Sequence, residues 1–332
     1  MLVLPGCACV FEALYTVRVE LAINTFYGTV CTLEIMATTT TTVSTATTTE
    51  KGDVRHVDYN GNQFHVPTFT MKQIFDAIPK HCFVSSTTRS LAYVARDICY
   101  LATITYVAAT YTPYLEGSLL RALVYAGSTT LSGMVMTGMW ILAHECGHGA
   151  FSKYKGVNNT VGLILHSFLL VPYHSWRITH SHHHKATGNL QRENVFVPYT
   201  KEQWLNENNA IGNHAHEHDS GKVTFAHLAE DSPIMTLYQC LVHQLFGWPA
   251  HMILNVSSQA TKKGFPQHSH YYFGSDSAIF KGSELPLIIL SDLGLATTLF
   301  ALYSLAQVFG WWSVLVFYGI PYLWVNNWIG KF

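Results

Sequence analysis

Two histidine clusters hold the side chains best suited to chemistry. The first is His144-Glu145-Cys146-Gly147-His148. Its two histidines are four positions apart, which puts both imidazoles on one face of a helix, able to grip one ion. The second is His180-Ser181-His182-His183-His184. Within it, His180, His183 and His184 have H-x-x-H-H spacing. On a helix 180 and 184 share a face and 183 lies beside them, whereas His182 points elsewhere and reads as a non-ligand. Five imidazoles exceed the four ligands of a structural zinc. Imidazole also suits iron, and several imidazoles in two clusters suit two irons.

Other readings of the same residues stay open. HECGH also fits the zinc-protease pattern H-E-x-x-H, with Glu145 as the base, but that leaves the second cluster unexplained. His166, His243 and His251 stand singly in apolar stretches and read as structural. His214, His216 and His218 alternate in a polar segment and read as solvated, as do His268 and His270. The seven cysteines show neither zinc spacing nor a disulfide framework.

These clusters need elements to position them, and composition indicates which. Charged residues are 12% of the 332, against roughly 25% in a soluble domain. Aromatics reach 13%, and histidines (19) equal all lysines plus arginines. A net charge of −1 gives no basic field for nucleic acid. The apolar stretches 91–112 and 122–143 can each cross ~30 Å of hydrocarbon, and the short linker 113–121 makes them a hairpin. Lys72, Lys80, Arg89 and Arg96 precede the first, and Lys153, Lys155, Arg177, Lys185 and Arg192 follow the second. The positive-inside rule places both flanks, and so both clusters, in the cytosol. Asn158, which opens an N-x-Ser/Thr sequon, would then escape glycosylation.

Residues 161–173 are too short to cross and fit a re-entrant or interfacial segment. Residues 185–232 read as a polar cytosolic loop. The stretches 285–308 and 311–329 complete four spans, while 233–256, interrupted by His243, Pro249 and His251, fits the interface. Residues 66–82 read as a short amphipathic surface helix capped by Thr70, with Ile74, Phe75 and Ile78 as its apolar stripe. The expected fold is all-α integral membrane: about four transmembrane helices plus interfacial helices, with a cytosolic histidine-box cap. Residues 1–65 form an extension with a Thr-rich tract that cannot build a core. Met36 reads as the natural start, with 1–35 a gene-model extension. Residues 66–332 form the membrane domain.

LAHECGHGAFS (142–152) and NNTVGLILHSFLLVPYHSWRITHSHHHKATG (158–188) resemble the membrane fatty acid desaturases of the endoplasmic reticulum, most of all the fungal delta-12 (oleate) and omega-3 group. PTFTMKQIFDAIPKHCF (67–83), VFVPYT (195–200), LFGWPAHMILNVSSQ (245–259) and SDLGLATTLFALY (291–303) extend the likeness collinearly. The resemblance implies a multi-pass endoplasmic-reticulum membrane enzyme with histidine boxes facing the cytosol. It implies an oxidoreductase acting on paired donors, reducing O2 to water while inserting a second double bond into an oleoyl-type chain, delta-12 favoured over omega-3. It carries over His144, His148, His180, His183 and His184 as ligands of a non-haem pair of irons. Family members usually have Lys or Arg at position 182, which agrees with His182 as a non-ligand. The implied partners are an acyl-lipid or acyl-carrier substrate, membrane lipid, and cytochrome b5 with its reductase, fed from NADH.

The chemistry fits: a fatty-chain methylene offers no acidic proton, so its C–H bonds need an oxidant supplied by the metal. The resemblance also implies a third H-x-x-H-H box beyond the last apolar stretch. This sequence reaches GIPYLWVNNW (319–328) and continues as Ile-Gly-Lys-Phe. The expectation is a domain lacking its C-terminal part, as a retained intron or shortened gene model would give, which binds iron weakly and is inactive by itself. A fatty-acyl hydroxylase of the same family and a non-catalytic membrane remnant are the alternatives.

Overall fold

A computed structural model describes residues 68–189, 191–193, 195–197, 200, 202, 232–256, 258 and 269–329. The readings made on residues 1–65, on most of the 185–232 loop, on His214, His216, His218 and His268, and on the last three residues fall outside them. All regular elements among the described residues are helical. The described residues divide into two compact units that part between Val84 and Ser85.

The first unit contributes α1, Met71–Ala77. Thr70 caps it with a reciprocal pair: Gln73 N–H donates to Thr70 Oγ1 at 3.3 Å, and Thr70 N–H donates to Gln73 Oε1 at 2.7 Å. The helix is shorter than the 66–82 segment because Pro79 drives Ile78 into extended backbone (φ −81°, ψ 130°). A 3-10 turn, Lys80–Phe83, follows.

The second unit begins with α2, Thr87–Tyr111, capped by Ser86. A short connection leads to α3, Ser118–His148, and the two pack side by side, as the hairpin reading expects. Gly149 stops α3 in the left-handed conformation (φ 75°), so the first histidine box occupies the last turn of the longest described helix. Then come α4, Lys155–Phe168, and α5, Tyr173–Ala186, which carries the second box. Between them the chain turns sharply. Val171 N–H donates to His166 O at 2.8 Å, and Leu170 takes φ 53°, a position glycine usually fills. Holding a leucine there costs about 1–2 kcal/mol.

Helix α6 spans Pro233–Leu254 and α7 spans Leu285–Phe309. The last stretch is α8, Trp311–Val314, a π-turn, Leu315–Gly319, and α9, Ile320–Ile329. Helix α3 is the hub, packed against α2, α4, α5 and α9, while α7 lies on α4 and α5 and α6 lies on α9. The core sits beside the histidine boxes. Met136, Met139, Ala143, Leu165, Leu169, Val171, Trp176, Trp248, Met252 and Val325 form one buried cluster drawn from α3, α4, α5, α6 and α9.

Among the described residues one helical stretch, Gly282–Phe309, is both long and apolar enough to cross a bilayer. Helices α2 and α3, at 25 and 31 residues, also exceed the thickness of ~30 Å. They carry Arg96, Asp97 and Arg121 and many hydroxyl and glycine residues. Apolar side chains lie exposed along α3, α7 and α8, including Leu119 at 73%, Phe300 at 70% and Trp312 at 69%. Apolar exposure on this scale marks a surface meant for lipid or a partner.

Candidate metal centre

The two boxes meet because α3 and α5 pack against each other. His144 and His148 project from the last turns of α3, and His180 and His184 from the C-terminal half of α5. One ring nitrogen from each lies within 4.8 Å of those of the others. His144 Nε2 and His148 Nε2 are 2.9 Å apart, His148 Nε2 and His180 Nε2 3.2 Å, and His180 Nε2 and His184 Nε2 2.9 Å. Neighbouring nitrogens around an ion with bonds of about 2.1 Å sit roughly 3 Å apart. The donor set could therefore hold one transition-metal ion.

Burial keeps these rings neutral. The His148 imidazole is pushed down to about 4 by desolvation, with the charge of His184 adding to it. His180 is held far below the ordinary histidine range by burial and by its four imidazole neighbours. His184 shifts the same way, again mainly through burial. A neutral ring offers a lone pair, which is the form that binds metal.

His183, the fifth residue read from sequence, stands apart from this group. Its ring centre is 5.5 Å from that of His184 and 6.3 Å from that of His180. Its Nδ1 meets Glu193 Oε2 at 2.7 Å. His182 and Glu145 are not among the converging donors. Burial lifts the Glu145 carboxyl to about 7. The zinc-protease reading needs this glutamate beside the ion, and nothing in the donor group supports that.

Several contributors were not legible as site residues. Trp176 stacks on His180, Trp140 lies 5.2 Å from His144 ring to ring, and Trp248 meets Trp140 edge-on at 5.7 Å. Trp176 precedes the second box by one turn, and that spacing was the available signal. His166 is fully buried against Trp140 and Trp176, as a structural histidine would be. His270, expected to be solvated, is fully buried, with Nε2 3.1 Å from Thr179 Oγ1 on α5.

On the far side of Trp248 lies an open apolar cavity of about 260 Å³. Leu170, Trp248, Pro249, Met252, Leu295 and Tyr322 line it. Trp248, which lines it, contacts Trp140, and Trp140 in turn contacts His144.

The fatty acid desaturase family model matches residues 120–331, and a domain of unknown function (DUF3474) matches residues 18–105. A delta(12) fatty acid desaturase of Mortierella isabellina is 43% identical over 267 residues, 80% of this chain and 64% of the relative. An oleate hydroxylase of Claviceps purpurea is 38% identical over 287 residues, 82% of this chain and 58% of the relative. An endoplasmic-reticulum omega-6 fatty acid desaturase of Brassica juncea is 37% identical over 262 residues, 78% and 62% respectively. The chain thus spans less than two thirds of the length of these relatives. With a family model covering both histidine boxes and the helices that present them, the chain belongs to the fatty acid desaturase family.

Proposed function

We propose that this chain is the larger part of an O2-dependent acyl-lipid desaturase that inserts a second double bond, at the delta-12 position, into an oleoyl-type chain. The observation that carries the reading is the four-imidazole group linked through Trp140 and Trp248 to an apolar cavity. His144, His148, His180 and His184 would hold one iron, and His183 would serve a second. Iron, when bound, supplies the oxidising power that an unactivated methylene requires. The protein's own residues do the rest. Trp140, Trp176 and Trp248 wall the imidazoles from water, and the cavity between α6, α7 and α9 receives part of an acyl chain.

The apolar stretches 91–112, 122–143, 285–308 and 311–329, carried by α2, α3, α7 and α8–α9, are read as four spans, with both boxes beyond the cytosolic end of the second. The endoplasmic reticulum is the proposed membrane, because relatives named for it match over both boxes. Electrons would come from NADH through cytochrome b5 and its reductase, and the acyl chain would be carried on a lipid or other carrier.

The test is expression in yeast of this chain joined to the C-terminal segment of the Mortierella relative, with gas chromatography of total fatty acids. Linoleate is the expected product. Normal membrane insertion without any new unsaturated or hydroxylated product would overturn the reading. The Claviceps hydroxylase favours a second reading, a hydroxylase. Mass separates the two: desaturation removes a pair of hydrogens, and hydroxylation adds an oxygen.

A further inference from the structure

The loop after α5 places one carboxylate against a predicted ligand. Glu193 is 4% exposed. Its Oε2 accepts from His183 Nδ1 at 2.7 Å, and its Oε1 accepts from Val195 N–H at 2.8 Å. The loop is built to hold it there. Glu193 N–H donates to Asn189 O at 2.8 Å, and Asn189 Oδ1 accepts from the Gln191 and Arg192 amides at 3.1 and 3.2 Å. Both carboxylate oxygens are therefore engaged, one by backbone and one by the imidazole.

From this we propose that Glu193 is the positioning residue that fixes His183 as a metal donor through Nε2, outside the four-imidazole group. A carboxylate oxygen can only accept, so a proton of the ring sits on Nδ1, and the nitrogen left to offer a lone pair to metal is Nε2. The same bond fixes the ring about its side-chain torsions. Phe196, whose ring meets that of His183 edge-on at 5.6 Å, closes another side. A carboxylate behind a ligating imidazole sets tautomer, orientation and basicity together. The other four predicted ligands are His144, His148, His180 and His184. Those four converge and hold one another, whereas His183 stands apart and takes its orientation from Glu193. The inference rests on the metal-site reading above.

The experiment is cobalt(II) titration of the 332-residue chain in detergent, against a chromophoric competitor, with thermal melting as the folding control. His183→Ala identifies the bound cobalt that depends on this residue. Glu193→Gln should weaken that cobalt about ten- to a hundredfold. Glu193→Asp, which keeps the carboxylate, should recover part of the loss. In a His183→Ala background, Glu193→Gln should cost nothing more, because its effect runs through the imidazole. An equal loss with His183 absent would mean that Glu193 binds the ion itself or only braces the loop, and would overturn the proposal. So would an unchanged affinity in either single variant. If the chain binds no cobalt that His144→Ala or His180→Ala removes, the metal-site reading fails as well. If it does bind such cobalt and Glu193→Gln leaves it intact, only the present inference falls.

Discussion

The indole of Trp176 lies almost parallel over the imidazole of His180, with ring centres 4.4 Å apart and planes inclined by 22°. The same indole lies against α3 at Gly147, between the two histidines of the first box. A Cβ there would lie 2.7 Å from Trp176 Cζ3. The residue between the box-1 histidines is thus in contact with the ring that stacks on a box-2 histidine. Gly147→Ala should push the indole and tilt His180. Overpacking costs about 1–3 kcal/mol, and the better helix propensity of alanine returns up to about 1 kcal/mol. The expected outcome is a small loss of thermal stability with a roughly tenfold loss of cobalt affinity. Unchanged affinity would show that the contact does not steer His180.

Helix α5 starts at Pro172 without a side-chain cap of its own. Its second amide, His174 N–H, instead donates to Ser291 Oγ of α7 at 2.9 Å. Ser291 is fully buried and His174 nearly so, so water cannot replace the bond. Ser291→Ala should therefore leave a buried amide unpaired, at about 1–3 kcal/mol. The check is the melting temperature of the purified chain in detergent. A variant as stable as wild type would show that this cross-helix cap contributes nothing.

Acid should destabilise the metal-free protein in a defined window. Burial moves both His148 and His174 from 6.5 to about 4. An unfolded chain thus binds protons at these residues in a range where the folded chain refuses them. Their contribution to stability is complete above pH 6.5 and is lost as pH falls toward about 4, and His180 and His184 act in the same direction. The melting temperature should fall steeply between about pH 6.5 and pH 4, and His148→Gln should flatten that slope. A melting temperature independent of pH across the window would contradict the burial of these rings.

What could be read in the sequence divides along local and non-local lines. Spacing of four within a helix gives the pairs His144/His148 and His180/His184, and it needs only helical geometry. The hairpin of α2 and α3 follows from two long apolar stretches and a short linker. The Thr70 cap follows from Thr and Gln three positions apart. Glu193 was not legible, because it reaches His183 through the turn at Asn189, and a turn leaves no periodic signal. His270 misled for a related reason. Its neighbours are polar, yet the chain brings it against Thr179, distant in sequence. The cross-helix contact between Ser291 and His174 likewise depends on packing alone.

The five predicted ligands and their neighbour His182 can be separated by substitution. Four imidazoles converge, His183 is turned toward Glu193, and His182, on the same helix, is outside the donor group. On the proposed reading each converging ring is a ligand, so His144→Ala should abolish desaturated product in the chain joined to the Mortierella C-terminal segment and remove most bound iron. His183→Ala should also abolish product while leaving the four-imidazole ion in place, so its iron content should fall only in part. His182→Lys places a charged side chain on a direction that the donor group does not use, and product and iron should stay within about twofold of the parent. Membrane insertion, measured by fractionation, should be the same in all three. Loss of iron in His182→Lys equal to that in His144→Ala would mean that the second box is gripped through a different set of rings.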